Sequence, residues 1–151
     1  MRKMHFEILI KAKPEAVWNA IVDDKKYIEW TSVFHEGSYF EGGWNKGDKI
    51  QFLSVNEKGE KEGMFSEIVE SRKPSFISIK NLGVVLGGKQ DTTSEAAKKW
   101  VPAYENYTLI QQGDSTKFEV DADADDEYYD MFKEMWPQAL EKLKQILEKQ
   151  N

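Results

Sequence analysis

"MFKEMWPQALEKLKQILE", residues 131–148, decides the architecture. Its apolar positions recur at helical spacing. Tyr128, Phe132, Met135, Ala139, Leu143 and Ile146 form one stripe, with Trp136, Leu140 and Leu147 beside it. Asp125 or Asp126 is placed to cap a helix that runs to about Lys149, with acids in its first turn and lysines in its last. The two halves differ in bulk: the first is aromatic and Met-rich, the second is Leu and Ile. Pro137 stands between them without an N–H for the carbonyl of Lys133, so a kink is expected there. The Leu/Ile half is expected to close a core and the bulky half to span something wider.

Working outward, the chain supplies a sheet for that helix to lie on. "HFEILIK", from His5, alternates, with Phe6, Ile8 and Ile10 on one face and His5 toward solvent. "KPEAVWNAIVDD" then starts a helix, with Pro14 at its first position, Glu15 at the positive dipole end and Val17, Trp18 and Ile21 as its apolar stripe. Trp18 is assigned to the core. "KKYIEWTS" reads as a second short helix ending near Ser32. From there the period becomes two. "GSYFEGG", "DKIQFLSV", "MFSEIVES", "FISIKNLG", "YENYTLIQ" and "TKFEVDAD" are six strands, joined mostly by short polar turns, as in an antiparallel meander. The exception is the connection 83–103, "GVVLGGKQDTTSEAAKKWVPA", where Ser94 can cap a brief helix. A loop of that length is a lid, a disordered segment or surface decoration. Neither a linker nor a repeat interrupts residues 1–151, which are read as a single domain.

Composition bounds the function. Hydrophobic residues are 40% and charged residues 32% of 151, the balance of a soluble globular domain. Aromatic residues reach 13%, with five Trp, which calls for a thick ring core or a cavity wall. The net charge of −6 argues against nucleic acid, whose phosphates need clustered Lys and Arg. There is no cysteine, hence no disulfide and no thiol chemistry. No apolar run approaches the roughly 18 residues of a membrane span, and the first residues lack the pattern of a signal peptide, so the cytoplasm is the expected location.

Three stretches carry a resemblance to a known family. "KPEAVWNAIVDDKKYIEW" at 13–30 resembles its opening motif, "EGGWNKGDKIQF" at 41–52 its glycine turn into a strand, and "MWPQALEKLKQILE" at 135–148 its terminal helix. The chain resembles the START-like, or SRPBCC, superfamily, and within it the family related to the activator of the heat-shock protein 90 ATPase. The resemblance implies an α+β helix-grip fold: a curved antiparallel sheet of six to seven strands wrapped around a long kinked C-terminal helix, with two short helices after the first strand. It also implies a cavity between sheet and helix. It carries over no catalytic residue, because the family shares no catalytic motif.

The residues themselves exclude several chemistries. "DADADD" from Asp121 begins like a calcium loop, but the sixth position is Asp126 rather than Gly and the twelfth Phe132 rather than Glu. His5 and His35 have no ligand spacing, so neither metal nor cofactor is expected. "LGGK" at 86–89 and "EGGW" at 41–44 are turns rather than phosphate loops, and there is no G-x-S-x-G elbow. By strand parity Ile50 and Phe52, Ile77 and Ile79, Tyr107 and Leu109, and Phe118 and Val120 share the inward face. The candidate ligand-binding residues are therefore Trp30, Phe34, Phe52, Ile79, Trp100, Glu105, Tyr107, Phe118, Tyr128, Phe132, Met135 and Trp136. His35 and Tyr104 are further candidate polar contacts. For each aromatic the competing reading is plain core packing.

Three functions fit. The first is a protein that binds a small apolar or amphipathic ligand between the sheet and the C-terminal helix. The second is a cyclase-, hydratase- or hydrolase-type enzyme in which Glu105 or His35 acts as acid or base near a Tyr. The third is a chaperone-interacting, ATPase-activator-like module working through an exposed surface. Whether the chain is a monomer or a dimer is not written in its sequence.

Overall fold

The computed structural model describes residues 1–101 and 103–149. Pro102, inside the long connection, lies outside the described residues, as do the last two positions. In chain order the elements are β1 (Arg2–Ile10), α1 (Pro14–Val22), α2 (Asp24–Trp30), a 3-10 turn (Thr31–Val33), β2 (Tyr39–Gly42), β3 (Lys49–Val55), β4 (Lys61–Arg72), β5 (Phe76–Leu86), β6 (Lys89–Asp91), α3 (Glu95–Lys98), β7 (Ala103–Gln112), β8 (Ser115–Ala124) and α4 (Tyr129–Glu148). The strands form a single antiparallel sheet in the order β1-β8-β7-β5-β4-β3-β2, with β6 paired to β5. The fold is thus α+β, a curved sheet carrying one long helix. Register shifts between Phe65 and Ser66 and between Ile68 and Glu70 break the β4–β5 ladder twice. Bulges of this kind bend a strand and increase its twist, which helps the sheet wrap.

The described strands number eight, against the six to seven that the sequence pattern predicts. The addition is β6, three residues long, inside the connection expected to be a loop. Gly87 and Gly88 make it possible, with φ of +57° and +78°. Positive φ at both central residues is the tight hairpin turn that Gly-Gly favours. "LGGK" is therefore a β5–β6 hairpin. Much of the 83–103 connection is ordered structure: β5 runs on to Leu86, and Ser94 caps α3 by accepting from the Ala97 amide at 3.2 Å.

Local chemistry sets the helices. Pro14 stands at the start of α1, and Asp23 caps α2 by accepting from the Lys26 amide at 3.0 Å. The start of α4 departs from expectation. The helix begins at Tyr129, with Tyr128 in the cap position and no side-chain cap bond. Asp125 instead builds the preceding turn: its carboxylate accepts from the Glu127 amide at 3.1 Å and its carbonyl from the Tyr128 amide at 3.0 Å. The last turn of α4 carries no base either. Lys144 lies a turn earlier and donates to the carbonyl of Leu9 at 3.1 Å and to Glu148 at 2.6 Å, tying the helix end to β1. The helix runs through Pro137 as a continuous element.

The core sits between α4, α1 and the concave face of the sheet. Ala139, Leu140, Leu143, Ile146 and Leu147 of α4 are buried with Val17 and Ile21 of α1 and Ile10, Phe118 and Val120 of the sheet. Trp18 is part of this cluster, 5% exposed.

Candidate functional site

The aromatic half of α4 does not close on the sheet as the Leu/Ile half does. A pocket of about 250 Å³ lies there, just below the usual range for small-molecule sites, roughly 300–1,000 Å³. Its wall is assembled from β1, α2, the 3-10 turn, β3, β4, β5, β7, β8 and α4.

Rings give the pocket its apolar surface, and they form an unbroken series of contacts. Phe52 meets Tyr27 at 6.1 Å, Tyr27 meets Trp30 at 5.6 Å, and Trp30 meets Trp136 at 6.3 Å between centroids. Phe34 packs edge-on against Trp136 at 4.9 Å and reaches Phe132 at 6.2 Å. Phe132 meets Trp100 at 6.1 Å. Offset and edge-on pairs of this kind are each favourable beyond the area they bury, so the wall is stiff. Trp100 is fixed from a second side, because its carbonyl accepts from Asn81 Nδ2 at 3.0 Å. The indole N–H of Trp30 is buried with no hydrogen-bond partner among the described residues.

Polar groups enter from the sheet. Glu105 and Tyr107 are two apart on β7 and therefore project to the same face. The Tyr107 hydroxyl donates to Glu105 Oε2. No described residue donates to the other carboxylate oxygen. What remains accessible of Glu105 opens on the pocket, and protein replaces bulk water around it. Burial pushes its carboxyl up to about 6, against the smaller lowering effect of the Tyr107 hydrogen bond. The Tyr107 hydroxyl is pushed well above its ordinary value, first by burial and then by the nearby Glu105 charge. Tyr27 is pushed up by burial as well. A second polar pair, Ser66 and Asn81, joins β4 and β5 through Ser66 Oγ donating to Asn81 Oδ1 at 3.1 Å. Chemically, the pocket offers a shaped apolar surface, one carboxyl able to change charge near neutral pH, and a few hydrogen-bonding groups.

Of the twelve candidates, Trp30, Phe34, Phe52, Ile79, Trp100, Glu105, Tyr107, Phe132 and Trp136 line the pocket. Phe118, Tyr128 and Met135 do not. Phe118 is fully buried and packs edge-on against Tyr107 at 5.5 Å, so it belongs to the core. Tyr128 packs against Trp100 with tilted rings, 5.3 Å between centroids. Met135 is half-buried and outside the lining, because the helix turns Trp136 rather than Met135 inward. His35 is exposed, its Nδ1 lying 2.8 Å from the Glu36 carbonyl, which removes it as a pocket acid or base. Tyr104 lines the pocket at its rim, 38% exposed. Sequence reasoning missed Tyr27, Ser66 and Asn81. The signals existed: Tyr27 is one helical turn before Trp30, Asn81 shares the parity of Ile77 and Ile79, and Ser66 that of Ile68.

One group of possible metal ligands lies elsewhere. His5, Glu7 and Glu119 bring ligand atoms within 4.8 Å of one another on the exposed face of β1 and β8. The two carboxylates are already answered by Lys117, at 3.6 Å and 3.0 Å. Hydrogen bonds to Asp121 and then Glu7 raise the pKa of His5, which favours the protonated ring that cannot bind metal. No described helix is long and apolar enough to cross a membrane.

Comparison with known proteins places this architecture. No curated protein matches the sequence. Among solved structures, protein MLL2253 of Mesorhizobium loti has a TM-score of 0.74 at 18% identity, covering 99% of each chain. Protein NE0264 of Nitrosomonas europaea has a TM-score of 0.73 at 10% identity over 98% of this chain and 95% of its own. The Aha1 dimer of Colwellia psychrerythraea has a TM-score of 0.71 at 15% identity over 98% and 97%. At these identities the likeness shows a shared fold. The family model for Activator of Hsp90 ATPase homolog 1-like proteins matches residues 11–148, from the end of β1 to the end of α4. By that match, which spans nearly the whole chain, this protein belongs to the family of Activator of Hsp90 ATPase homolog 1-like proteins.

Proposed function

We propose that the chain binds a small molecule with an apolar body, held between the sheet and the aromatic half of α4. The observation that carries this reading is the ring-walled pocket with polar groups left open to it. A stable domain gains by filling such space with its own side chains, since interiors are close-packed. Here rings surround the void instead, and the Leu/Ile half of the same helix shows that the fold packs densely where nothing needs room. Burial of the ligand's apolar surface would drive binding, at roughly 25 cal/mol per Å² before the costs of association. Native mass spectrometry of the protein as purified from cells, beside a denatured control, tests the reading. Excess mass lost on denaturation is the expected result. A bare mass, together with no thermal shift across a small-metabolite library, would contradict it.

A second reading is supported by Glu105. A carboxyl held near 6 beside a tyrosine hydroxyl has the properties of a general acid or base. Turnover by this route would be abolished in Glu105→Gln while binding persisted. Activity unchanged in that variant would exclude it. A chaperone-facing role rests on the family's description. Most of the exposed large apolar residues sit on different elements, among them Leu9 on β1, Ile28 on α2, Val55 on β3 and Leu86 on β5, while Tyr104 and Ile110 share β7.

A further inference from the structure

The charge pattern of the pocket narrows the ligand class, an inference that rests on the pocket being a binding site. Three acids line it, Glu62, Glu105 and Asp123, and no Lys, Arg or His does so among the described residues. The acids are not equivalent. Asp123 is already answered, by the Tyr104 amide at 3.0 Å and by Lys3 at 3.4 Å. Glu105 has a neutral partner alone, the Tyr107 hydroxyl. Charges removed from water are normally paired, because an isolated carboxylate in low dielectric is costly. Glu105 therefore faces the pocket with no positive partner among the described residues.

The surroundings fit one kind of complement. Tyr27, Trp30 and Trp136 stand in the same wall, and aromatic rings attract cations through their quadrupoles, most strongly where water is excluded. An anionic ligand would meet only like charge here. A neutral ligand can donate a hydrogen bond to the carboxylate but leaves its charge unpaired.

We propose that the pocket selects organic cations, with a protonated amine or quaternary ammonium seated against Glu105 and the apolar remainder among the rings. The pH behaviour follows. The other ionisable groups lining the pocket are Glu62, Asp123 and the tyrosines 27, 104 and 107, with no histidine among them. Glu105, pushed up to about 6, is the group that changes charge just below neutrality, so cation binding weakens as it is protonated.

The test uses three probes of similar shape and different charge: 2-phenylethylammonium, 2-phenylethanol and 3-phenylpropionate. Each is titrated by calorimetry and tryptophan fluorescence, to millimolar concentration, at about pH 7.5 and about pH 5, on either side of the Glu105 value. The ammonium should bind on the order of tenfold tighter than the alcohol at the higher pH, with the carboxylate weakest. That advantage should shrink at the lower pH and in Glu105→Gln. The pH arm uses the unaltered protein, so the test does not depend on the variant folding. Equal or tighter binding of 3-phenylpropionate, or an ammonium preference unchanged at the lower pH and in Glu105→Gln, would overturn the proposal while leaving a binding pocket in place. Failure of all three probes to bind would overturn this proposal, while the binding reading beneath it is decided separately by the native mass and the metabolite library.

Discussion

From Ala139 onward α4 is seated tightly on the sheet: Ala139, Leu140, Leu143 and Leu147 retain at most 3% of their surface. Before Pro137 the same helix holds Phe132 and Met135 only half-buried, and Trp136 is buried against rings that enclose a pocket. One amphipathic helix therefore does two jobs. Its far end maximises contact, as a core requires, while its near end sets Trp136 on Phe6 of β1 and Tyr107 of β7 at 6.2 Å each and leaves Phe132 half-buried beside the pocket. The difference lies in side-chain shape. Leu and Ile interdigitate with a sheet, whereas Trp and Phe brace one another edge to face and leave space behind.

The comparison breaks most easily at the closed end. Leu143→Ala, deleting a fully buried side chain, should cost about 2–5 kcal/mol, read as a lowered denaturant midpoint. The open end should respond differently. Phe132→Ala is expected to cost less, within about 2 kcal/mol, because its ring borders existing space. It should change the affinity for any pocket ligand, which Leu143→Ala should alter only through stability. Equal costs at both sites would mean the two halves are packed alike.

Glu105 sharpens the contrast through pH. Its carboxyl is raised from 4.5 to about 6, so between those values the folded chain holds the proton more firmly than the unfolded one. Stability from this group is present below about pH 4.5 and lost as pH rises through about 6. Glu105→Gln should therefore stabilise the protein at pH 7.5 by at most about 2 kcal/mol, with the gain vanishing near pH 4.5. Thermal melts across that range check the sign. Tyr107→Phe removes the hydroxyl that holds the Glu105 value down, so the titration of Glu105, followed by carboxyl carbon NMR, should move to higher pH. The smallest effect belongs to Met135→Ala, half-buried and outside the pocket, at within about 0.5–1 kcal/mol and with no change in ligand affinity.

How much of this could be read from the sequence varied with the physics involved. Helical and strand periods are local, so the α4 stripe, the helix after Pro14 and the six main strands were legible, and strand parity correctly paired Glu105 with Tyr107 on one face. The β6 hairpin was hidden, because three residues carry no measurable period. The start of α4 is misplaced because Asp125 can cap a helix or build a turn, and residue type alone does not separate the two. Phe118 shows the limit of parity. It points inward as expected, yet Tyr107 packs over it, and depth within a face is set by neighbours distant in sequence. Ser66 and Asn81 are not legible as pocket residues, because a polar residue on an inward face stands out only once the face is known to enclose space.

The central claim is that space under the aromatic half of α4 accepts a ligand. The five Trp indole N–H signals report on it residue by residue, with 2-phenylethylammonium added at about pH 7.5 and followed by nitrogen–proton correlation NMR. The account predicts that the signals of Trp30, Trp100 and Trp136, which line the pocket, shift, while that of Trp18 in the closed core stays in place. No shift in the three pocket residues, or a shift of Trp18 as large as theirs, would contradict it.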